Sequence, residues 1–570
     1  MRAPFPLSSR LSSRLSSWLS WRLSWRLPWL LMAGALSAGA CAGHREPVGG
    51  GGGRGGGGAR GPICWGDTGC NEDAPGVVLK CVDAVATKTV EFCDPGMTCS
   101  LGRCVSQSCA DAEMGTGPAG CLFYTAALDN LDTEDLKPTL IVVTNPGLTR
   151  ATVYLQQRAD SQASGQSPTQ TWPVVQNATI NGGSAGSFTF AGQPLQGTGY
   201  APGAARRIVS DQPVTVMVVQ SDNEDLRADS SSGTMLLPLH GLGWDYMAMT
   251  YQQTLTARIA PLLGARGGAA EVAVVATQSD TLLRIWAPGA PEETPPTEQV
   301  LQQDGDLFQL VTNEEGDDLS GTLIRASKPV AVFSGNVVTT YGKTAQGINT
   351  PDMAMEQMVP ISEWSKSYVA ARLPAQTTAC DTLFASDATL GPVSYWRIVA
   401  SKQATLEFSW TGQLDGLPSD PLPVTRGLPF RLVVSGEGDF VVHSNVPILM
   451  TQGMDCEATL SSAVPVDAPL GPLTFALVPN FEHALVIVRK DSRDAPPVLL
   501  DSYDISDQFV PIADGFSVAR REPPSCYDSV GACVHQLTGA HGLTLRGMDV
   551  TSSYATTPMT WVKCGTDTCR

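Results

Sequence analysis

Charged side chains make up only 16% of this 570-residue chain and aromatic ones 7%. Basic residues are the scarcest class once the first 41 positions are set aside. That stretch holds five arginines (Arg2, Arg10, Arg14, Arg22, Arg26) and no acid, which leaves 37 − 5 = 32 basic against 55 acidic residues, or −23. A surface so charged repels nucleic acid and anionic lipid headgroups, which excludes nucleic-acid binding. Histidine is rare: His44, His240, His443, His483, His535 and His541 are scattered, with no HExxH or other pair at metal-ligand spacing. No CxxC occurs, and no apolar run is long enough to cross a bilayer comfortably.

What the chain does have is turn and cysteine chemistry. Gly 57, Pro 41 and low charge are the composition of many short strands joined by turns, not of long helices. The one motif with a hydrolase pattern, Gly182-Gly-Ser184-Ala-Gly186, lacks its context, since a strand-like Ser187-Phe-Thr-Phe190 follows where the elbow needs a helix. Ser184 as a nucleophile is therefore the weaker alternative, and no catalytic residue, metal or cofactor is expected.

The amino terminus reads as an export signal. Residues 1–40 combine a long arginine-rich region with the apolar Pro28–Ala40 and small residues before Cys41. Ala38-Gly-Ala-Cys41 resembles a bacterial lipobox, in which the cysteine becomes the lipidated first residue; an ordinary signal cut near Ala40 is the other reading. Setting Cys41 apart leaves 14 of the 15 cysteines, an even number. Gly49–Gly58, nine glycines and one arginine, then supplies a linker. Cys64, Cys70, Cys81, Cys93, Cys99, Cys104, Cys109 and Cys121 follow, a density that suits a disulfide-stapled module better than a zinc site. Cys526 with Cys533 and Cys564 with Cys569 are local neighbours, while Cys380 and Cys456 are more isolated and open to pairing with each other; sequence leaves the connectivity undetermined.

Beyond Cys121 three phrases recur in one order. Pro213, Pro329 and Pro447 each follow a polar turn and open an apolar run, at intervals of 329 − 213 = 116 and 447 − 329 = 118 residues. Pro238 with Trp244 and Tyr246 is echoed by Pro360 with Trp364 and Tyr368. Val272–Ile285 is echoed by Trp396–Phe408. Each proline phrase reads as a strand, a tight turn and a second strand opened by proline, which has no N–H to give a ladder. Thr139–Thr144 with Ala151–Leu155, and Ala484–Val488 with Pro497–Leu500, read as hairpins. Gly542–Thr551 fills the slot of the opening phrase without its proline. Helix-like pieces are confined to Asn130–Leu136 and Met353–Met358, both equally readable as loops.

The period predicts an all-β chain of tandem β-sandwich-like repeats of about 115–120 residues, with a β-propeller-like array as the alternative. The expected division is signal peptide 1–40, anchor cysteine and linker 41–62, disulfide module 63–110, then β repeats 111–233, 234–350, 351–465 and a degenerate 466–570. Trp244 and Trp364 recur in two repeats and are expected in the core; Trp396 and Trp410 are open to sugar stacking. Four acidic clusters invite a calcium reading: Asp129, Asp132, Glu134 and Asp135; Asp222, Glu224, Asp225 and Asp229; Asp304 and Asp306; Glu314, Glu315, Asp317 and Asp318. None matches an EF-hand loop, and solvated acidic loops are the plainer explanation.

Through Val142-Val-Thr-Asn-Pro-Gly147, Ile208–Val214, Leu319-Ser-Gly-Thr322 to Asn336, Glu356-Gln-Met-Val-Pro360 to Arg372, Tyr395-Trp-Arg397 and His541-Gly-Leu543, the chain resembles the IgGFc-binding protein N-terminal domain family, most of all its myxobacterial cell-surface versions. The resemblance implies a β-rich extracellular binding domain. The expectation is a lipid-anchored adhesion protein at the outer membrane or cell surface that recognises an extracellular protein or glycan, with ligand-binding residues unknown. A structural envelope protein without a specific ligand is the alternative.

Overall fold

The computed structural model describes residues 63–71, 73–82, 85–130, 137–158, 172–221, 230–253, 268–339, 352–374, 393–453, 459–479, 481–524, 533–548 and 553–559. The chain opens with a four-stranded antiparallel sheet, β1 (Ile63–Trp65), β2 (Thr68–Cys70), β3 (Val77–Val82) and β4 (Val85–Phe92). A hairpin, β5 (Met97–Ser100) and β6 (Arg103–Ser106), and helix α1 (Gln107–Glu113) complete this module. Disulfides Cys64–Cys81, Cys70–Cys99 and Cys93–Cys104 staple it, and Cys109–Cys121 ties α1 to the next strand. Loops of this length, 11 to 29 residues, are worth about 2–4 kcal/mol each when closed, which replaces the core so small a module lacks. The sequence reading missed α1, which Ser106 caps through its hydroxyl.

Four sandwiches follow. Unit 1 contains β7 (Gly120–Thr125), β8 (Lys137–Asn145), β9 (Ala151–Gln157), β10 (Val174–Ile180) and β11 (Ser184–Gly192), then, past β12 (Gly199–Ala201), which joins the edge of the unit 2 sheet, β13 (Arg206–Ser221), and β14 (Ser231–Met235) closes it. Unit 2 contains β15 (Gly243–Met247), β16 (Ala270–Ala276), β17 (Thr281–Trp286), β18 (Thr297–Leu301), β19 (Leu307–Val311) and β20 (Leu323–Thr339), closed by β21 (Asp352–Gln357). Unit 3 contains β22 (Ser367–Ala370), β23 (Val393–Ala400), β24 (Ala404–Trp410), β25 (Leu422–Val424), β26 (Phe430–Ser435), β27 (Phe440–Ser444) and β28 (Ile448–Gly453), with β29 (Ser461–Ser462) and β30 (Val464–Pro465) after it. Unit 4 contains β31 (Leu473–Ala476), β32 (Glu482–Lys490), β33 (Leu499–Leu500), β34 (Tyr503–Asp504), β35 (Val510–Pro511), β36 (Phe516–Arg521), β37 (Val534–Thr538) and β38 (Gly542–Met548), closed by β39 (Ser553–Thr556).

The recurring proline phrase is the point where one strand leaves one sheet and enters the other. In β13, Arg206–Ser210 pair with β9 and Thr215–Gln220 with β8. In β20, Leu323–Ala326 pair with β17 and Val330–Asn336 with β16 and β21. So the phrase is not strand, tight turn, strand in units 1 and 2: the backbone stays extended through Ala326-Ser-Lys328, and proline occupies the switching residue because no ladder N–H is required there. Unit 3 splits the same path into β27 and β28, and unit 4 into β37 and β38. The two expected hairpins are also corrected. β8 and β9 pair with other strands in opposite sheets, as do β32 and β33, so Asn145–Gly147 and Asp491–Pro497 are turns between sheets. Met353–Met358 is strand β21 and not helix; residues 131–136 lie outside the described residues.

The second recurring phrase explains the first. The hydroxyls of Tyr246 and Tyr368 donate to Val330 and Ile448 O (2.7 and 2.8 Å), each one residue past its corner proline. The same hydroxyls accept the N–H groups of Gly243 and Ser365 (2.8 and 3.2 Å). Both tyrosines are fully buried, and burial drives their hydroxyl pKa upward, so they stay protonated donors. Phe123 occupies the matching register in unit 1, opposite Ile208, and Phe475 does so in unit 4. A third device went unread in sequence. Gln220 and Asn336 each grip one backbone residue by both its N–H and its C=O, at Leu128 and Tyr251, and Gln452 accepts the N–H of Leu373.

The units close into a ring. One apolar core joins units 1, 2 and part of 3; a second packs Val369 and Val441 of unit 3 on Val486 and Val488 of unit 4. A third packs Leu140, Val142, Met217 and Val219 of unit 1 on Phe475, Leu485 and Leu543 of unit 4. The closing strands meet side chain to backbone. Met353, Met355 and Gln357 N–H of β21 donate to Ser230, Ser232 and Thr234 hydroxyls beside or in β14 (2.8, 2.9 and 3.1 Å). Met235 N–H of β14 in turn donates to Thr556 of β39 (2.8 Å).

The disulfide module is not a free stalk, as a reading of tandem units on a linker would suggest. Lys328 at the unit 2 corner pairs with Asp67 (2.6 Å), and Gln278 accepts the Asp67 N–H (2.9 Å). At the unit 1 corner Ser106 donates to Asp211 O and Ser108 to Gln212 (2.8 and 2.9 Å).

Candidate binding surface

The sheet-switching corners and the turns beside them differ from unit to unit in what covers them. In units 1 and 2 the module occupies them, with Trp65 meeting Trp244 edge-on at 5.2 Å. Trp244 is 41% exposed and so not core, whereas Trp364 is buried and donates to Val359 O at 3.0 Å. The reason is register: Trp244 lies two residues before its corner tyrosine and Trp364 four before. Trp396 is also core, packed edge-on against Phe440, which removes it from sugar stacking; Trp410 is half-buried against the same core.

Unit 4 leaves the equivalent region open. Its turn after β32, Asp491–Pro497, and the segment Asp504–Ser506 border a cleft of about 530 Å³. Arg489 forms its floor: Nε contacts Asp491 at 2.9 Å, Nη1 donates to Ser506 O at 2.8 Å, and the guanidinium lies 4.6 Å from the Phe509 ring. Asp491 also accepts from Ser517 at 2.8 Å. On the rim, Asp504 is fully exposed, and hydrogen bonds from Ser506 hold its carboxyl below the usual range. Pro496 and Pro497 add exposed apolar rings. Nearby Asp501 and Ser502 take positive φ (51° and 71°), held by His535 to Asp501 at 2.7 Å, and place Tyr503 73% exposed.

The other residues singled out from sequence have structural work. Ser184 begins β11 directly after the Gly182-Gly183 turn, and Gly183 N–H donates to Asn145 O at 3.0 Å; a strand follows it, not a helix. Asp306 is buried and pairs with Arg158 at 2.7 Å, joining units 1 and 2, while Asp304 accepts the Trp172 N–H at 2.7 Å. Asp318 pairs with Arg397 at 2.5 Å across units 2 and 3, and the Arg397 charge with bonds from Ser320 outweighs burial to lower its pKa. Asp129 is buried, its N–H donating to Glu271 at 3.3 Å. Asp132, Glu134, Asp135, Asp222, Glu224, Asp225 and Asp229 lie outside the described residues, as do Cys41, Cys380, Cys456, Cys526, Cys564 and Cys569. Cys533 is disulfide-bonded. Among the described residues no group of three or more His, Cys, Asp or Glu is placed to hold a metal ion.

One constellation was not legible in sequence. Ser367 Oγ meets His443 Nδ1 at 2.8 Å, and His443 Nε2 meets Asp514 at 2.8 Å. The connectivity is that of an acyl-transfer triad, but the Ser367 N–H, one oxyanion donor such a site would use, is committed to Ser365 Oγ at 3.0 Å. Ser367 and His443 are register partners on β22 and β27, and Asp514 comes from unit 4, so the relay ties the third seam. His483 and His541 are pushed down by burial, His483 to about 4.

A family model described as IgGFc binding protein matches residues 232–547, which is 547 − 232 + 1 = 316 residues and more than half of the chain. The matched stretch runs from inside β14 to the penultimate residue of β38. The human protein named IgGFc-binding protein is 27% identical over 236 residues, 40% of this chain and 4% of that protein's length. Among the described residues no helix is long and apolar enough to cross a membrane.

Proposed function

The chain belongs to the IgGFc-binding protein family, and from that premise we propose that it is a non-catalytic recognition protein acting outside the cell. In this reading residues 1–40 direct export and Cys41 carries a lipid anchor at the outer membrane or cell surface. Residues 41–62 link that anchor to the disulfide module (63–110), and the β units divide near 233, 350 and 465. The partner is an extracellular protein or glycan, and the role is adhesion. The observation that carries the proposal is the family match over most of the ring; the cystine-stapled module supports an oxidising location. Immunoglobulin Fc enters as one probe among several, because it is the human relative's name that mentions it.

The test is binding of a purified chain spanning 63–570 to immobilised extracellular proteins, Fc and oligosaccharides. Saturable binding to at least one, together with an acyl group on Cys41 by mass spectrometry of the native protein, is expected. Absence of any saturable partner would leave an envelope structural role instead.

A further inference from the structure

We propose that the unit 4 cleft is a saccharide site, taking one or two neutral sugar residues. This deepens the recognition role above and rests on it. Charge balance in a small space selects the ligand. Arg489 makes two bonds that fix its plane, and its Nη2 makes none among the described residues. Asp504 stands on the rim with no cation within 4.0 Å among the described residues, and its Ser506 bonds keep it ionised. A simple anion entering beside Arg489 meets the Asp491 and Asp504 carboxylates. A simple cation drawn to Asp504 meets the guanidinium. A hydroxyl escapes both conflicts, because it donates to a carboxylate and accepts from an N–H. Ser492 adds a hydroxyl of its own, while the Ser506 hydroxyl accepts the Val498 N–H at 2.9 Å, and the rings of Pro496 and Pro497 give the C–H face of a pyranose an apolar wall. Polar groups of both signs set beside an apolar face are what fixes a small ligand's orientation. At about 530 Å³ the cleft is in the size range of small-ligand sites.

This turn also differs from its counterparts. The equivalent turns are Asn145–Arg150 in unit 1 and Thr277–Asp280 in unit 2, the latter held by the module through Gln278. Unit 4 spends more residues between β32 and β33 and buries none of Ser492, Pro496 or Pro497.

The test uses the 63–570 chain on a panel of immobilised neutral oligosaccharides ending in galactose, glucose, mannose, fucose or N-acetylhexosamine, with Asp504→Asn and Ser492→Trp as variants. Both positions are exposed, so unchanged thermal midpoints check that each variant folds. The expected result is binding to at least one sugar that weakens tenfold or more in both variants. No binding across the panel, or binding that neither variant alters, overturns the saccharide site. Displacement by an extended peptide and by no sugar overturns it too. Saturable protein binding without sugar binding would sink this inference and leave the recognition role standing.

Discussion

Tyr246 and Tyr368 illustrate how a single hydroxyl can decide where a strand changes sheets. Each serves a buried carbonyl beyond a corner proline and a buried N–H in its own turn. Removing the hydroxyl leaves both groups unpaired away from water, at about 1–3 kcal/mol. Tyr246→Phe and Tyr368→Phe are each expected to lower unfolding free energy in urea by that amount, with little change in m. A loss below 0.5 kcal/mol in both would remove the corner role. Glu356 is a residue of the opposite kind. Burial raises its carboxyl pKa well above the usual value, only partly offset by a bond from Thr234. It therefore holds its proton to higher pH when folded than when unfolded, and its contribution is fully present below the ordinary glutamate value near 4.5 and falls as pH rises toward the folded one. Glu356→Gln keeps the shape without the charge. It should match the parent near pH 4 and be more stable at pH 8, as thermal midpoints would show; equal midpoints at both pH values would mean Glu356 carries no such penalty.

At the scale of elements, the sequence phrases that carry the family resemblance are mostly scaffold. Pro329 is the switching residue, Gln357 accepts Leu237 N–H at 2.7 Å, and Asn145 donates to Thr149 and Ile180 carbonyls. The corner was readable because it needs proline and tyrosine at fixed offsets, and fixed offsets repeat. The amide grips were not readable: Gln220 and Asn336 lie seven residues past their prolines but Gln452 only five, and a polar residue on a strand reads as solvent-facing. The unit 4 cleft was not readable for a related reason, since its charges come from the end of β32, the turn after it and β34, with no fixed spacing. Gly335 tests the element most closely. It faces Glu271 on β16 and Met355 on β21, and a Cβ there would lie 1.8 Å from Ala354 O. Gly335→Ala should push β21 off β20, costing about 3 kcal/mol or more and lowering yield of folded chain; wild-type stability in that variant would show the pairing is looser than described.

For the whole molecule, closure matters more than repetition. Consecutive seams carry arginine–aspartate pairs, Arg158–Asp306, Arg397–Asp318 and Arg520–Asp439. Breaking such a buried pair by removing one partner strands a charge, so these pairs specify which faces meet as much as they stabilise. The seam between units 4 and 1 is chiefly apolar among the described residues, which is why periodicity revealed four units in a row but not that the last returns to the first. A ring holds the loops of its units on one frame, the kind of arrangement by which scaffolds present recognition surfaces. It also makes β39 a shared element, with one edge on β38 and one hydroxyl on β14.

Hydrogen exchange at β14 tests that closure most directly. The amides of Ser231–Met235 should be strongly protected in the 63–570 chain, and Met235 should lose its protection when the chain is cut after Met548 or carries Thr556→Val. Unchanged protection of Met235 in both variants would contradict the ring.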